Sequence, residues 1–242
     1  MSRKSLLLIL ALLGSLGGLG TGLLVLVLHE PDSYLRRAVP PSLERKKMSG
    51  VFFSDFSNFF TRTHESEEQP WSVRFKEDCI NSYFEEGFIQ QGFARSYLPE
   101  GISQPRVAID ADKIRLMFRY SIGPWSTVVS IDVSVWVVPR EANVIALEFQ
   151  GLHAGLLPIS AQSLLEHVTQ MAQPARIEVT WYRHNRNPVA LLRFQAEHNR
   201  PTIQLQKLDL QPGCLTVTCL SSDPATLGAM LFPYATLEQV AN

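Results

Sequence analysis

The chain has 242 residues, with 22 lysine or arginine residues against 23 aspartate or glutamate residues, for a net charge of −1. This balance argues against attraction to nucleic acid, and we expect no nucleic-acid partner. The three cysteines are too few and too widely spaced for a disulfide framework. The length leaves room for one domain with a sizeable core.

An uncharged apolar segment over residues 6–28 predicts a membrane anchor. Arg3 and Lys4 precede it, and a helix of this length reaches roughly 30–35 Å, enough to cross a bilayer. A cleaved signal peptide is the alternative, but the second apolar run at 23–28 is more than a cleaved signal needs. The preceding charges favour an N-terminus inside, although basic residues also follow at 45–47. We therefore expect the soluble domain on the extracytoplasmic side.

Three glycines recur every four residues within this segment, at Gly14, Gly18 and Gly22. Small residues at that spacing lie on one helical face and allow two membrane helices to approach closely. The pattern predicts a homo-oligomer through this face. The alternative is that glycine is simply common in membrane helices.

The anchor is assigned to residues 1–30. Residues 31–70, which prolines interrupt, are predicted to form a juxtamembrane tether with a Phe-rich segment. Five aromatic residues recur in this tether at helical spacing: Phe52, Phe53, Phe56, Phe59 and Phe60. The resulting helix would either dock on the domain, which is the simpler expectation, or lie in the membrane interface.

A β-rich soluble domain is predicted over residues 71–222, followed by a C-terminal tail at 223–242. Apolar residues at helical spacing predict an amphipathic helix over 72–89. Residues 114–120 and 129–137 then alternate apolar and polar side chains, which is typical of strands with one apolar face.

The second half of this domain predicts one helix and two hairpins. Residues 158–172 carry an apolar stripe at helical spacing. Hairpins are expected at 176–195 and 202–220, from runs of β character on either side of polar turns. The apolar register shifts between Leu205 and Leu208, which indicates a bulge or a strand end.

Together these elements predict an α+β fold: an N-terminal transmembrane helix, then a long, twisted, mainly antiparallel sheet wrapping one or two amphipathic helices. Such a half-tube would enclose an elongated apolar groove. Ten apolar residues are candidates for lining it, and each would equally suit an ordinary packed core. They are Phe75, Ile80, Phe84, Phe88, Ile131, Val133, Val135, Leu164, Leu165 and Val168.

The sequence lacks the common motifs of catalysis and metal binding. It has no Gly-x-Ser-x-Gly elbow, no nucleotide-binding loop, no His-Glu-x-x-His and no Cys-x-x-Cys. His153, just before the predicted helix at 158–172, is a candidate base without a partner nearby in sequence. A hydrogen-bonded structural histidine is the simpler interpretation. We expect no enzyme activity, no cofactor and no metal site.

The layout resembles a known family over about residues 72–222. Asn81, Tyr83 and Phe84 in the first helix, and the turn at Leu157–Pro158 before the second, resemble the bacterial YpmS-like membrane-anchored proteins. That family is similar in turn to the tubular lipid-binding (TULIP-like) folds of extracytoplasmic proteins. The resemblance implies an apolar groove suited to acyl chains, and it carries over no catalytic residue.

The sequence thus predicts a single-pass membrane-anchored, non-enzymatic domain that binds a lipid or another apolar ligand in an elongated groove, with membrane lipid as its partner. The alternative is a structural or assembly subunit of a membrane protein complex, acting through span association and sheet-edge or aromatic contacts. An enzyme acting at the membrane ranks third. It would need His153 or His198 beside a carboxylate or a nucleophile.

Overall fold

The computed structural model describes residues 15, 18–62, 67–88, 100–160, 162–172, 177–194 and 203–221. Over these residues the chain is an α+β fold with a large antiparallel sheet and few helices, which confirms the predicted class at this level. The helices are α1 (18–28), α2 (Asp32–Leu35), α3 (Leu43–Arg62), α4 (Glu77–Tyr83) with a π-helical turn at Phe84–Phe88, and α5 (Gln162–Ala172). The strands are β1 (Glu67–Lys76), β2 (Ile102–Ile109), β3 (Ile114–Ile122), β4 (Trp125–Val137), β5 (Val144–Ala154), β6 (Leu157–Pro158), β7 (Glu178–His184), β8 (Asn187–Arg193), β9 (Ile203–Gln211) and β10 (Cys214–Ser221).

The strands form two sheets. The large sheet has the order β2-β3-β4-β5-β8-β7, with the short β6 paired to β5, and the small sheet has the order β1-β10-β9. The described neighbours pair antiparallel, both where a turn joins consecutive strands and in the pairs β1–β10 and β5–β8, which are distant in sequence. With 13 residues, β4 is the longest described strand and extends about 43 Å at the usual strand rise.

The predicted helix over 72–89 is wrong in its first part. Trp71, Val73 and Phe75 lie in β1, where they alternate with exposed polar side chains, and the helix begins only at Glu77. Phe75 fits a period of two with the residues before it and a period of 3.6 with those after it. Because Phe75 also fits the helical spacing of the residues after it, the predicted helix began too early and included the end of strand β1.

The later strands follow the sequence pattern more closely. Both predicted hairpins are present, as β7–β8 and β9–β10. Thr218 pairs with Lys207 while Cys219 pairs with Leu205, so Gln206 is an extra residue, and the predicted bulge is confirmed.

Strand β2 is not predicted from the sequence. This strand contains Pro105, which cannot donate a backbone hydrogen bond, and its pairing with β3 shifts register between Ser103 and Arg106. A proline is tolerated there because β2 is the terminal strand of its sheet.

Much of the segment predicted as a tether is folded onto the domain. Tyr34 in α2 is fully buried, in a cluster with Ala108, Met117 and Val128 of the large sheet. Burying an aromatic side chain of this size holds α2 against the sheet. Residues 32–62 therefore belong to the folded domain.

The aromatic helix α3 docks on the small sheet, as the simpler expectation had it. Phe52 and Phe59 pack with Trp71 and Phe75 in one cluster, with ring centroids 5.6 to 6.2 Å apart for the closest pairs between the two elements. The offset and edge-to-face arrangements suit aromatic side chains. Part of the aromatic stripe thereby becomes core.

Two asparagine side chains tie the sheets together at their terminal strands. Asn81 in α4 donates to the Val107 carbonyl of β2 (2.9 Å) and accepts from the Val107 N–H (2.8 Å). Asn143, in the turn between β4 and β5, donates to the Ile203 carbonyl of β9 (2.6 Å) and accepts from the Leu205 N–H (2.8 Å). Each amide takes the place of a neighbouring strand.

The predicted anchor is described only in part. Among the residues that the structure covers, no helix combines the length and the apolar character needed to cross a membrane. Gly14 lies outside the described residues, whereas Gly18 and Gly22 lie in α1 with open space beside their Cα atoms. The tail at 223–242 also lies outside them.

Candidate apolar ligand-binding face

One face of the large sheet is apolar from strand to strand. Directly paired residues share a face, so the register assigns its members. They are Ile102, Val107 and Ile109 of β2; Ile114, Leu116, Phe118, Tyr120 and Ile122 of β3; Trp125, Thr127, Val129, Ile131, Val133, Val135 and Val137 of β4; Ile145, Leu147, Phe149, Leu152 and Ala154 of β5; Ala190 and Leu192 of β8; and Val179 and Trp181 of β7. None of these side chains carries a charge. We call this surface the apolar face.

The opposite face, which we call the polar face for its ion pairs, combines charged residues with buried apolar ones such as Met117 and Val128, which pack under Tyr34. Asp132 accepts hydrogen bonds from Arg115 (Nε to Oδ1, 2.5 Å) and Lys113 (Nζ to Oδ2, 3.1 Å). Burial alone would raise the pKa of this carboxyl, but the two cations outweigh that effect and hold the pKa below its ordinary value.

The N-terminal segment covers part of the polar face. The Arg106 guanidinium lies 4.0 Å from the centre of the Tyr34 ring and donates to the Tyr34 carbonyl. Glu30 pairs with Arg119 at 2.7 Å, and the hydrogen bond from that arginine lowers the pKa of Glu30. A ligand would therefore approach the sheet from the apolar side.

The structure brings half of the ten predicted lining residues together. Ile131, Val133 and Val135 of β4 pack with Leu165 and Val168 of α5 on the apolar face. The hydrogen bond from the Trp181 indole to the Thr169 hydroxyl (2.9 Å) fixes α5 over the β7 side of the sheet. These five residues lie around a helix packed on the sheet, in a cluster in which Ile131 and Val133 are buried.

The other predicted residues lie elsewhere. Phe75 and Ile80 pack with Phe52 and Phe59 between α3 and the small sheet, so they do not share the apolar face. Phe84 lies half-buried in the π-helical turn. The side chains of Phe88 and Leu164 lie outside what the structure describes.

The apolar face is open along β3. Its centre is closed where α5 packs, and Ile131 and Val107 are each 5% exposed. Leu116 lies between these two residues in the paired strands, yet it is 42% exposed. Leu116 is therefore an uncovered apolar side chain between two covered ones, and it is the accessible part of the apolar face at this position. In the sequence Leu116 is one apolar member of an alternating strand, and only its exposure in the structure distinguishes it from its neighbours.

The end of α1 is fastened to the same sheet. The Leu156 N–H donates to the Leu26 carbonyl (3.0 Å), and the Thr127 hydroxyl donates to the Val27 carbonyl (2.5 Å). These bonds satisfy carbonyls that the last turn of a helix leaves without partners. Gly155, with φ +59°, lies so close to the Leu26 and Val27 carbonyls that a Cβ would overlap them.

A cleft of about 320 Å³ lies between α1 and the β3–β4 hairpin. Its lining is mostly apolar: Leu24, Val27, Leu28, Tyr120, Ile122, Trp125, Ser126 and Thr127. Four of these residues belong to the apolar face, so the cleft and the face are continuous. No sequence signal identified Thr127 or Gly155, because their contacts with α1 depend on tertiary structure.

A larger groove, of about 610 Å³, lies between α3 and β1. Its lining includes Asp55, Arg62, Arg74 and Lys76. Charged side chains of both signs suit water better than an apolar ligand. We therefore place the candidate site on the apolar face.

The described residues give no support to metal or thiol chemistry. They contain no group of three or more histidine, cysteine or acidic residues that could hold a metal ion. His153 lies within β5, opposite Ser130, and not immediately before a helix as the sequence suggested; His198 lies outside the described residues. The three cysteines are free, and burial raises the pKa of Cys219 to about 11.

Comparison with known protein families, with curated proteins and with solved structures finds no match to this chain. The resemblance to the YpmS-like and TULIP-like proteins therefore stays a prediction.

Proposed function

We propose that this chain is a membrane-anchored, non-enzymatic protein whose apolar face accommodates an acyl chain or another extended apolar ligand. The observation that carries the proposal is the register of the large sheet, which assembles an uncharged face over the length of β4. The exposed side chain of Leu116 would give a ligand access to that face. An acyl group of ~10 buried methylenes would gain roughly 8 kcal/mol from leaving water, before the losses of association.

The N-terminal segment supports the anchoring part of the proposal. Residues 6–28 carry no charge, and 18–28 are helical where described. Arg3 and Lys4 before the segment favour an extracytoplasmic domain. The continuity between the cleft at α1 and the apolar face would let a lipid acyl chain pass from a bilayer onto the sheet.

Photo-crosslinking of the full chain tests ligand binding. The protein would be reconstituted in nanodiscs that contain a phospholipid with a diazirine in its acyl chain, illuminated and mapped by peptide mass spectrometry. We expect adducts on the β3 and β4 peptides in addition to those on the N-terminal segment. Adducts confined to residues before Glu30 would contradict the proposal.

A matched pair of variants makes this test specific. Leu116→Asp places a charge on the exposed part of the apolar face, whereas Leu43→Asp makes the same change at a position 86% exposed at the start of α3. We expect Leu116→Asp to reduce the adducts at Leu116 and at its strand neighbours Val107 and Ile131 at least tenfold while Leu43→Asp leaves them unchanged, since burying an unpaired carboxylate against an acyl chain is strongly unfavourable. Equal labelling of both variants would refute a ligand at Leu116.

An assembly role is the second candidate, supported by the outer side of α3. Phe53, Phe56 and Phe60 are 58%, 44% and 50% exposed, and exposed aromatic groups on one helix are typical of protein contacts. If this surface recruits a partner, Phe53→Ser with Phe56→Ser should reduce the mass of the complex isolated in mild detergent. An unchanged mass would remove this candidate.

A further inference from the structure

The two turns that flank the end of α1 expose large apolar side chains. Ile122 and Trp125 lie at the tip of the β3–β4 hairpin and are 65% and 54% exposed. Leu156 and Ile159 lie at the β5–β6 turn and directly after β6, and they are 50% and 43% exposed. We call these four residues the turn rim. Exposed apolar groups gathered at one end of a domain usually mark a contact surface.

The turn rim has a fixed position relative to α1. The Leu156 N–H binds the Leu26 carbonyl, and Thr127, two residues beyond Trp125, binds the Val27 carbonyl. Ile122 and Trp125 also line the cleft against α1. The rim and the end of the helix therefore form one continuous apolar surface, to which α1 adds the exposed side chains of Leu23 and Val25.

Polar groups next to the rim are already paired within the protein. Ser126 accepts a hydrogen bond from Arg119 (3.4 Å), and the same arginine pairs with Glu30. Ile122 and Trp125 are partners in the hairpin ladder, so its backbone hydrogen bonds are made internally up to the tip. The tip can therefore enter a medium of low polarity without leaving these groups unsatisfied.

We propose that the turn rim inserts into the interfacial zone of the phospholipid bilayer that holds the N-terminal segment. This inference rests on the proposed anchoring. A bilayer is favoured over a protein partner because the rim continues without a charged residue into α1 and the uncharged sequence back to Leu6. Trp125 suits the water–lipid boundary, where indole rings place an apolar body in lipid and an N–H in the polar zone.

Tryptophan quenching by brominated phosphatidylcholine tests the inference on the full chain in vesicles. The chain has four tryptophans: Trp125 in the rim, Trp181 on the apolar face, Trp136 on the polar face and the buried Trp71. We expect strong quenching that falls by more than half in Trp125→Phe. Trp136→Phe is the matched control and should quench like the parent protein.

The outcomes separate this inference from the proposed function. Quenching that falls in Trp181→Phe but not in Trp125→Phe would overturn the rim and instead place lipid on the apolar face. If the protein stays on the vesicles through an alkaline wash but its tryptophans are not quenched, the proposed insertion of the turn rim is refuted while the proposed anchoring stands. Protein released by the wash would overturn the anchoring and, with it, the rim.

Discussion

Replacing Gly155 by alanine tests whether α1 and the sheet form one unit. The added Cβ would overlap the Leu26 and Val27 carbonyl oxygens, so α1 must move away. Gly123→Ala is a close control, because Gly123 has φ +56° against +59° at Gly155 but nothing within 4 Å of its Cβ position. Both variants place an L-residue in the left-handed region, so the backbone strain is common to the two.

The structure gives the size of the difference. Left-handed strain costs about 1 kcal/mol in each variant. Moving α1 away in Gly155→Ala also breaks the hydrogen bonds to the Leu26 and Val27 carbonyls, at about 1 kcal/mol each. We therefore expect a loss of about 3 kcal/mol for Gly155→Ala and about 1 kcal/mol for Gly123→Ala.

Two measurements on the full chain in nanodiscs check this expectation. Urea titration gives the free energy of unfolding of each variant. Hydrogen exchange reports the Leu156 amide, which should exchange faster in Gly155→Ala and at the parent rate in Gly123→Ala. Equal stabilities and an unchanged Leu156 amide would refute the view that α1 is fastened to the sheet.

Three further predictions concern stability and reactivity. Asn81→Ala should lower the free energy of unfolding by about 3 kcal/mol, because it leaves both polar groups of the buried Val107 backbone unpaired. Asn58→Ala, at an exposed position of α3, should change the free energy of unfolding in urea by less than about 0.5 kcal/mol. Similar losses in the two variants would contradict the role of Asn81. The lowered pKa of Asp132 contributes stability above the ordinary carboxyl pKa, which is lost as the pH falls through the folded value, below about pH 4. Asp132→Asn should make the melting temperature fall less steeply as the pH is lowered. The same decline in the variant and in the parent protein would show that the ion pairs of Asp132 do not contribute to stability. Burial raises the pKa of Cys219 to about 11, so labelling of the Cys219 thiol at about pH 8, followed on its own peptide, should proceed only as fast as the protein unfolds. Rapid labelling of Cys219 in the native protein would contradict its burial.

The sequence predicted the parts of the fold that local pattern determines. Alternation over residues 114–120 and 129–137 identified β3 and β4, and the register shift near Leu205 indicated a bulge or a strand end, where the structure has a bulge in β9. Strand β2 was not predicted, because Pro105 argues against a strand unless that strand lies at the edge of a sheet. The predicted helix included Phe75, because that residue fits both periods.

The candidate site was predictable only in part, for a related reason. Val133 and Leu165 meet because each lies on the apolar side of its own element, which periodicity reveals. The exposure of Leu116 depends on where α5 lies across the sheet. The bonds from Thr127 and Leu156 to α1 join residues 100 or more positions apart, and no local pattern encodes them.

The paired asparagines have a consequence for self-association. A terminal strand normally offers a row of free donors and acceptors on which another chain can build a fibrillar ladder. Asn81 and Asn143 occupy such groups on β2 and β9 with a single amide each, and an amide presents no further backbone for the next strand to join. We therefore expect a substitution at either position to leave that part of the terminal strand free to pair with another chain.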